Sequence, residues 1–210
     1  TLSSSSAASD VYKRQYQDGV TKLGPGIRFI LWTQGCARCC KGCMTPMSQD
    51  RDSGRIISVF DLADIIIQSG RDGLTISGGE PFLQAQALYE LVNLIRAKRD
   101  IGIIVYTGYT LDEILQSKDL YMCRFLEQID LLIDGPYIEE LNDGMNLRGS
   151  SNQRAIALTA RYESDVDGYG SKKAEVEFFM KEDKVLMVGV PDSNTLNRFK
   201  YAFKEETIDE

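Results

Sequence analysis

The chain has no histidine. Imidazole is the commonest side-chain base near neutral pH and the commonest zinc ligand. Its absence excludes a Cys/His zinc finger, a Ser-His-Asp triad and a Cys-His nucleophile pair. Long apolar runs are also missing. Stretches such as Val185–Val190 fall far short of the roughly 20 residues a membrane helix needs. No charged segment leads into an apolar run, so no signal peptide is expected. A basic stripe is absent too. The chain has 24 Lys and Arg against 31 Asp and Glu, a net charge of −7. Nucleic acid and membrane are therefore not expected partners.

What is present fits one globular domain: 210 residues, 43% hydrophobic and 26% charged. Four of the five cysteines lie in Gly35–Cys43, "GCARCCKGC". Such near neighbours do not pair in unstrained disulfides, so the cluster points to metal in a reducing, cytoplasmic compartment. Two registers compete: Cys36-x3-Cys40-x2-Cys43 and Cys36-x2-Cys39-x3-Cys43. A tight loop can aim three thiolates at three irons of a cubane and leave the fourth iron open. Adjacent Cys39 and Cys40 would struggle to face one cluster. A structural zinc site would need a fourth ligand, and only the distant Cys123 remains. Cys39 and Cys123 otherwise read as a loop thiol and a small buried apolar residue.

Ser5–Gln15, "SSAASDVYKRQ", resembles the in-frame translation of a library adapter. Thr1–Gln15 is accordingly set aside as non-native, the natural chain beginning before Tyr16; the alternative is a Ser-rich disordered tail. Beyond it, Ile27–Thr33, Gly73–Ser77, Ile101–Tyr106, Ile129–Ile133 and Ala155–Thr159 read as strands. Val59–Ser69 and Gln84–Arg99 read as helices, the second with Lys98 and Arg99 at its C-terminal end. Thr110–Glu113 is a capping box that opens a helix to about Ser117. Gly135–Arg154 is a long polar connection. Glu175–Met180 and Lys184–Val190 form a hairpin around "KEDK". Pro191–Glu210 is an acidic tail of undetermined structure.

Apolar strands alternating with helices predict an α/β fold with a parallel sheet buried on both faces, open or curled into a barrel. Chemistry in such folds sits at the carboxyl ends of the strands. There the unusual segments gather: "GCARCCKGC", then "GGEP", "TGYT" and "DGP". Each also has a plain reading: a Gly-Gly turn before a proline, a capped strand-to-helix turn, a turn-forming aspartate.

Cys36-x3-Cys40-x2-Cys43 resembles the signature of radical S-adenosylmethionine (SAM) enzymes. "GPGIRFILWTQGC", "TISGGEPFLQ", "VYTGYTLDEIL", "IDLLIDGPY" and "LRGSSNQR" are similar to the anaerobic ribonucleotide reductase activating proteins and related glycyl-radical activating enzymes. The likeness runs from about Gly24 to Arg154. Two positions depart: Gly42 stands where many radical SAM enzymes carry an aromatic, and Thr45 stands where relatives commonly have asparagine. The resemblance implies a partial (β/α) barrel of the radical SAM type over residues 16–160, followed by a C-terminal hairpin and tail over 161–210. It implies that Cys36, Cys40 and Cys43 hold a [4Fe–4S] cluster whose open iron binds SAM. One electron to the sulfonium would then give a 5′-deoxyadenosyl radical, with no protein acid or base needed.

Cofactor contacts implied by the same resemblance are Gly42, Met44, Gly78, Gly79, Glu80, Thr107, Asp134, Ser151 and Asn152, with Gly108 and Gln153 nearby. Gly78 and Gly79 would let backbone approach the ligand. The implied activity abstracts hydrogen from a glycine of a partner, an anaerobic ribonucleotide reductase, with electrons from a flavodoxin or ferredoxin. Two other readings stand beside it: a radical SAM enzyme for a small molecule or peptide, such as a deazapurine-forming synthase, and an iron–sulfur electron carrier with four cysteine ligands.

Overall fold

The computed structural model describes residues 10–145, 147–166, 172–181 and 184–203. Strand β1 (Asp10–Val20) lies antiparallel between β2 (Arg28–Thr33) and β3 (Arg55–Ser58). Helix α1 (Val59–Ser69) follows. The Ser58 hydroxyl accepts the Asp61 N–H at its start, and Gly70, at φ 69°, ends it in the left-handed conformation. Next come β4 (Gly73–Gly78), α2 (Ala85–Arg96), β5 (Gly102–Tyr106), α3 (Leu111–Leu115), α4 (Leu120–Leu126) and β6 (Leu131–Asp134). Then β7 (Arg154–Ala157), the single turn α5 (Glu163–Val166), the hairpin strands β8 (Val176–Lys181) and β9 (Lys184–Gly189), and α6 (Ser193–Ala202) complete the described chain.

Seven strands form one sheet in the order β3-β1-β2-β4-β5-β6-β7. β2, β4, β5 and β6 are mutually parallel. The flanks are antiparallel. β7 was expected as one more strand, with no direction assigned. It runs antiparallel to β6 because its connection from β6 contains no crossover helix to carry the chain back. β1 and β3 gave no sequence signal because they are edge elements, half-exposed and without a continuous apolar run. β1 takes in Asp10–Gln15, and Val11 is wholly buried, so the sheet crosses the expected boundary at Tyr16. Backbone pairing is indifferent to where those residues came from. The tail holds α6, capped by Asp192, whose carboxylate accepts the Thr195 N–H at 2.6 Å. Residues 1–9, 182–183 of the "KEDK" turn, and the acidic end 204–210 lie outside the described residues.

The strands' period-two alternation divides the interior. Phe29, Leu31, Leu74, Ile76, Ile103, Val105 and Leu132 face α1, α2 and α4 in the main core. Ile30 and Trp32 face the opposite way and meet Val188 and Val190 of the hairpin segment. Each such full burial contributes about 1.5–3 kcal/mol. Helix α2 stops at Arg96, short of the expected Arg99. Arg99 instead donates to the Ile67 and Arg71 carbonyls (3.4 and 3.2 Å), capping α1 rather than its own helix. Among the described residues no helix is long and apolar enough to cross a membrane.

Beneath the parallel strands Arg28 is completely buried, with no carboxylate partner among the described residues. Its Nε donates to Thr75 Oγ1 (2.6 Å), Nη1 to Tyr162 Oη (2.9 Å) and the Pro25 carbonyl (3.0 Å), and Nη2 to the Leu74 and Gly102 carbonyls (2.8 and 2.9 Å). All five N–H groups are satisfied by neutral acceptors. A Cβ on Gly73 would lie 2.1 Å from Nη1. Tyr162, beyond the expected core boundary at residue 160, is thus part of the sheet's interior.

Candidate active site

The cysteine loop, "GGEP", "TGYT" and "DGP" leave the carboxyl ends of β2, β4, β5 and β6, which the parallel register sets side by side. Their main chains are joined. Gly79 N–H donates to the Thr33 carbonyl and Glu80 N–H to the Gly35 carbonyl, both at 2.9 Å. Gly35 and Cys36 N–H donate to the Ser48 and Gln49 carbonyls (2.8 and 3.0 Å), so the loop returns onto its own base. Gly135 N–H reaches the Tyr109 carbonyl at 2.8 Å.

The glycines of "GGEP" allow a close approach within the protein. A Cβ on Gly78 (φ 110°) would lie 2.4 Å from the Thr33 backbone. On Gly79 it would lie 2.3 Å from the Gly35 carbonyl oxygen. The neighbour being approached is the root of the cysteine loop. Gly79→Ala is therefore expected to push that root outward, costing about 1–3 kcal/mol and lowering reconstituted iron per chain several-fold. A thermal melt and iron analysis check this; wild-type values in both would refute it.

Glu80 is almost fully buried. Its Oε1 accepts from Phe82 N–H (3.0 Å) and Thr107 Oγ1–H (2.7 Å), and Oε2 from Gly108 N–H (2.8 Å). Burial pushes this carboxyl above its ordinary value, while these donors and nearby Arg38 pull it back. Glu80 and Thr107 thus brace β4 against β5. Asp134, also buried, accepts the Leu111 N–H at 2.8 Å and pairs with Arg154 through both its oxygens. It holds the start of α3.

In "RGSSNQR" the loop is organised by Ser150 and by Gln153, one of the three residues singled out in the sequence. Ser150 is fully buried and accepts the Ile138 N–H (3.1 Å). Gln153 Oε1 accepts the Gly149 and Ser150 N–H groups, and its amide donates to the Gly135 carbonyl (2.8 Å). Ser151 and Asn152 are exposed, and the Asn152 amide donates to the Pro136 carbonyl (2.8 Å). The polar run was visible in sequence; which of its members turn inward was not.

The four loop cysteines are not equivalent. Cys36, Cys40 and Cys43 are half-buried, and Cys39 is exposed with φ 47°. Burial pushes the Cys36 thiol up, against the N–H groups of Arg38 and Cys39. Cys43 Sγ lies 3.9 Å from Thr45 Oγ1, whose hydroxyl donates to the Gly78 carbonyl (3.1 Å) and so ties the loop's far end to β4. Met44 packs against the Ile30–Trp32 cluster under the hairpin. Gly42 (φ 69°) is covered by Glu139, which an added Cβ would meet at 2.4 Å. Among the described residues no three Cys, Asp or Glu side chains converge as one metal ion requires. The all-sulfur set suits a cluster, in which each thiolate takes a different iron.

Arg38 and Tyr137 were not anticipated. Arg38 lies over the Tyr109 ring, 4.4 Å from its centroid, and pairs with Glu113 at 3.1 Å. Tyr137, half-buried, lies between Gly149 and the loop. Burial raises its phenol above the ordinary value, with Cys43 and Glu139 adding to the rise. No spacing rule marks either residue.

Residues 22–156 match the 4Fe-4S single cluster domain family. The anaerobic ribonucleoside-triphosphate reductase-activating protein of Vibrio cholerae is 37% identical over 141 residues, 62% of this chain and 87% of that one. The protein of that name from Enterobacteria phage T4 is 31% identical over 142 residues, 65% and 87% of the two chains. The pyruvate formate-lyase-activating enzyme of Listeria monocytogenes is 32% identical over 141 residues, 63% of this chain and 54% of that one. A crystal structure of QueE from Escherichia coli overlaps 48% of this chain and 53% of its own at TM-score 0.42 and 19% identity.

Proposed function

Because the chain belongs to the 4Fe-4S single cluster domain family and, with the reductase-activating proteins, to the radical SAM activases, we propose that it generates a glycyl radical on a partner enzyme, an anaerobic ribonucleoside-triphosphate reductase. The observation that carries this reading is the meeting of the cysteine loop with "GGEP" and "TGYT" at one end of the parallel strands, inside the segment shared with those relatives. We read the open sheet as a partial barrel with its working end there.

Cys36, Cys40 and Cys43 would hold the [4Fe–4S] cluster, and SAM would take the iron left without a thiolate. The chemistry these groups supply when bound is one-electron reductive cleavage of SAM. The chain's own residues position it. Gly78 and Gly79 keep the β4 end seated on the loop's root. Glu80 and Thr107 lock β5 beside it, and Asp134 with Arg154 fixes the next strand end. Gly42, Met44, Ser151 and Asn152 remain candidate SAM contacts in this reading. Hydrogen abstraction by a cofactor radical needs no side-chain base, which fits a chain without histidine.

The electron would come from a separate donor, and a flavodoxin or ferredoxin in a reducing cytoplasm fits. The hairpin covers the inner sheet face with apolar groups, among them Phe179, Leu186 and Val188. A small polar substrate would call for converging polar groups instead.

Anaerobic reconstitution with SAM, a strong reductant and the candidate reductase tests the reading. A glycyl-radical EPR doublet on the reductase is expected. SAM cleavage without a partner radical would favour a small-substrate enzyme, and no cleavage would refute both.

A further inference from the structure

Arg38 stands between two of the loop's cysteines and makes contacts that the cluster-binding motif does not require. Its guanidinium lies 4.4 Å from the Tyr109 ring centroid. One Nη donates to Glu113 Oε2 at 3.1 Å. Its stem lies against Gly108, where an added Cβ would come within 2.4 Å of Cδ. Three consecutive features of the β5 end, Gly108, Tyr109 and the α3 capping box, therefore hold one side chain of the cysteine loop. Nε–H is buried and has no acceptor among the described residues. The side chain is only 24% exposed, so its charge is incompletely screened.

This puts a permanent cation on the cysteine loop itself, two residues from Cys36 and two from Cys40. A [4Fe–4S] cluster on three thiolates carries net negative charge, and each added electron increases it. Nearby positive charge and hydrogen-bond donors favour the reduced form. Glu113 is the opposing element. Its carboxylate partly neutralises Arg38 while accepting the Thr110 N–H (2.7 Å) in the capping box.

We propose that Arg38 is a positioning residue that latches the cysteine loop to the β5 end and sets the cluster's reduction potential, with Glu113 tempering it. The proposal rests on the activase reading, since it needs a redox-active cluster. Cys36, Cys40 and Cys43 supply the cluster's ligands; Arg38 supplies charge and loop placement without touching iron.

The pair predicts opposite signs. In Arg38→Gln, reconstituted with iron and sulfide, the reduced-to-oxidised ratio at fixed potential should fall up to tenfold, which is about 59 mV for one electron. Arg38→Lys should recover most of that loss. In Glu113→Gln the ratio should rise, because glutamine keeps the capping box yet frees the Arg38 charge. The readout is a potentiometric EPR titration normalised to iron content. A purely structural latch would shift both variants the same way or neither, and either result overturns the proposal. If Arg38→Gln assembles too little cluster to titrate, Glu113→Gln decides alone: a rise upholds the proposal, and an unchanged or lower ratio overturns it. A wild-type protein that forms no reducible cluster overturns the activase reading and this proposal together. A normal wild-type cluster with unshifted variants overturns this proposal only.

Discussion

Cys40→Ser is expected to assemble no [4Fe–4S] cluster and to cleave SAM at least about 100-fold more slowly than wild type, whereas Cys39→Ser keeps both. The lower bound is the upper range seen when mere supporting groups around a metal are lost; a lost ligand should cost no less. Iron–sulfur centres select soft thiolates, and a serine hydroxyl remains protonated where a cysteine thiol can ionise. The loop has just three half-buried thiols, and Cys40 is the middle one. Its carbonyl also accepts the Cys43 N–H at 3.3 Å, so serine preserves the turn while removing the sulfur. Cys39 is the control. It is exposed, and its φ of 47° turns the chain so that adjacent cysteines face different ways. Iron and sulfide per chain, with 5′-deoxyadenosine formation, measure the outcome. Loss in Cys39→Ser with retention in Cys40→Ser would assign the other register.

The second large effect lies far from the cluster. Gly73→Ala is expected to destabilise the protein by about 3–5 kcal/mol, the range for breaking up a buried charge's partners. The new Cβ would stand 2.1 Å from Arg28 Nη1, and the guanidinium has nowhere to retreat. Tyr162, the Leu74 and Gly102 carbonyls and Thr75 close it in. Moving it strands a buried cation and several carbonyls at once. At about 2–4 °C per kcal/mol for a chain of this size, the melting midpoint should fall roughly 6–20 °C. The cause is separable. In an Arg28→Met background the added alanine should cost less than about 1 kcal/mol, because the atom it collides with is gone. An equal cost in both backgrounds would refute the collision.

Much of the site was legible because its chemistry is written in short, fixed spacings. The candidate ligands Cys36, Cys40 and Cys43 fall within eight consecutive residues, where a spacing rule can find them. The strands that carry the other segments are buried on both faces, and continuous apolar runs announce them. Ser58 and Thr110 sit at the helix starts where the capping pattern put them. The misses share a cause as well. β1 and β3 are edge strands whose partners, not their composition, make them strands. Ser150 drew no notice in the sequence, and it turns inward because its loop folds on Tyr137 and Gly135.

The order of the elements, the clustering of cysteines in one loop and the gathering of the unusual segments at one strand end were determined by the sequence itself. Each follows from local periodicity, residue chemistry or the handedness of parallel crossovers. Only the tertiary structure decided what each polar group is used for. It showed that Gly78 and Gly79 seat a loop, that Glu80 joins two strands, that Arg28 stands buried among neutral acceptors, and that Arg38 reaches Glu113. All of those contacts but the one from Arg28 to Pro25 join residues 27 to 134 positions apart. A spacing rule reads neighbours along the chain, whereas burial and hydrogen bonding are settled by neighbours in space.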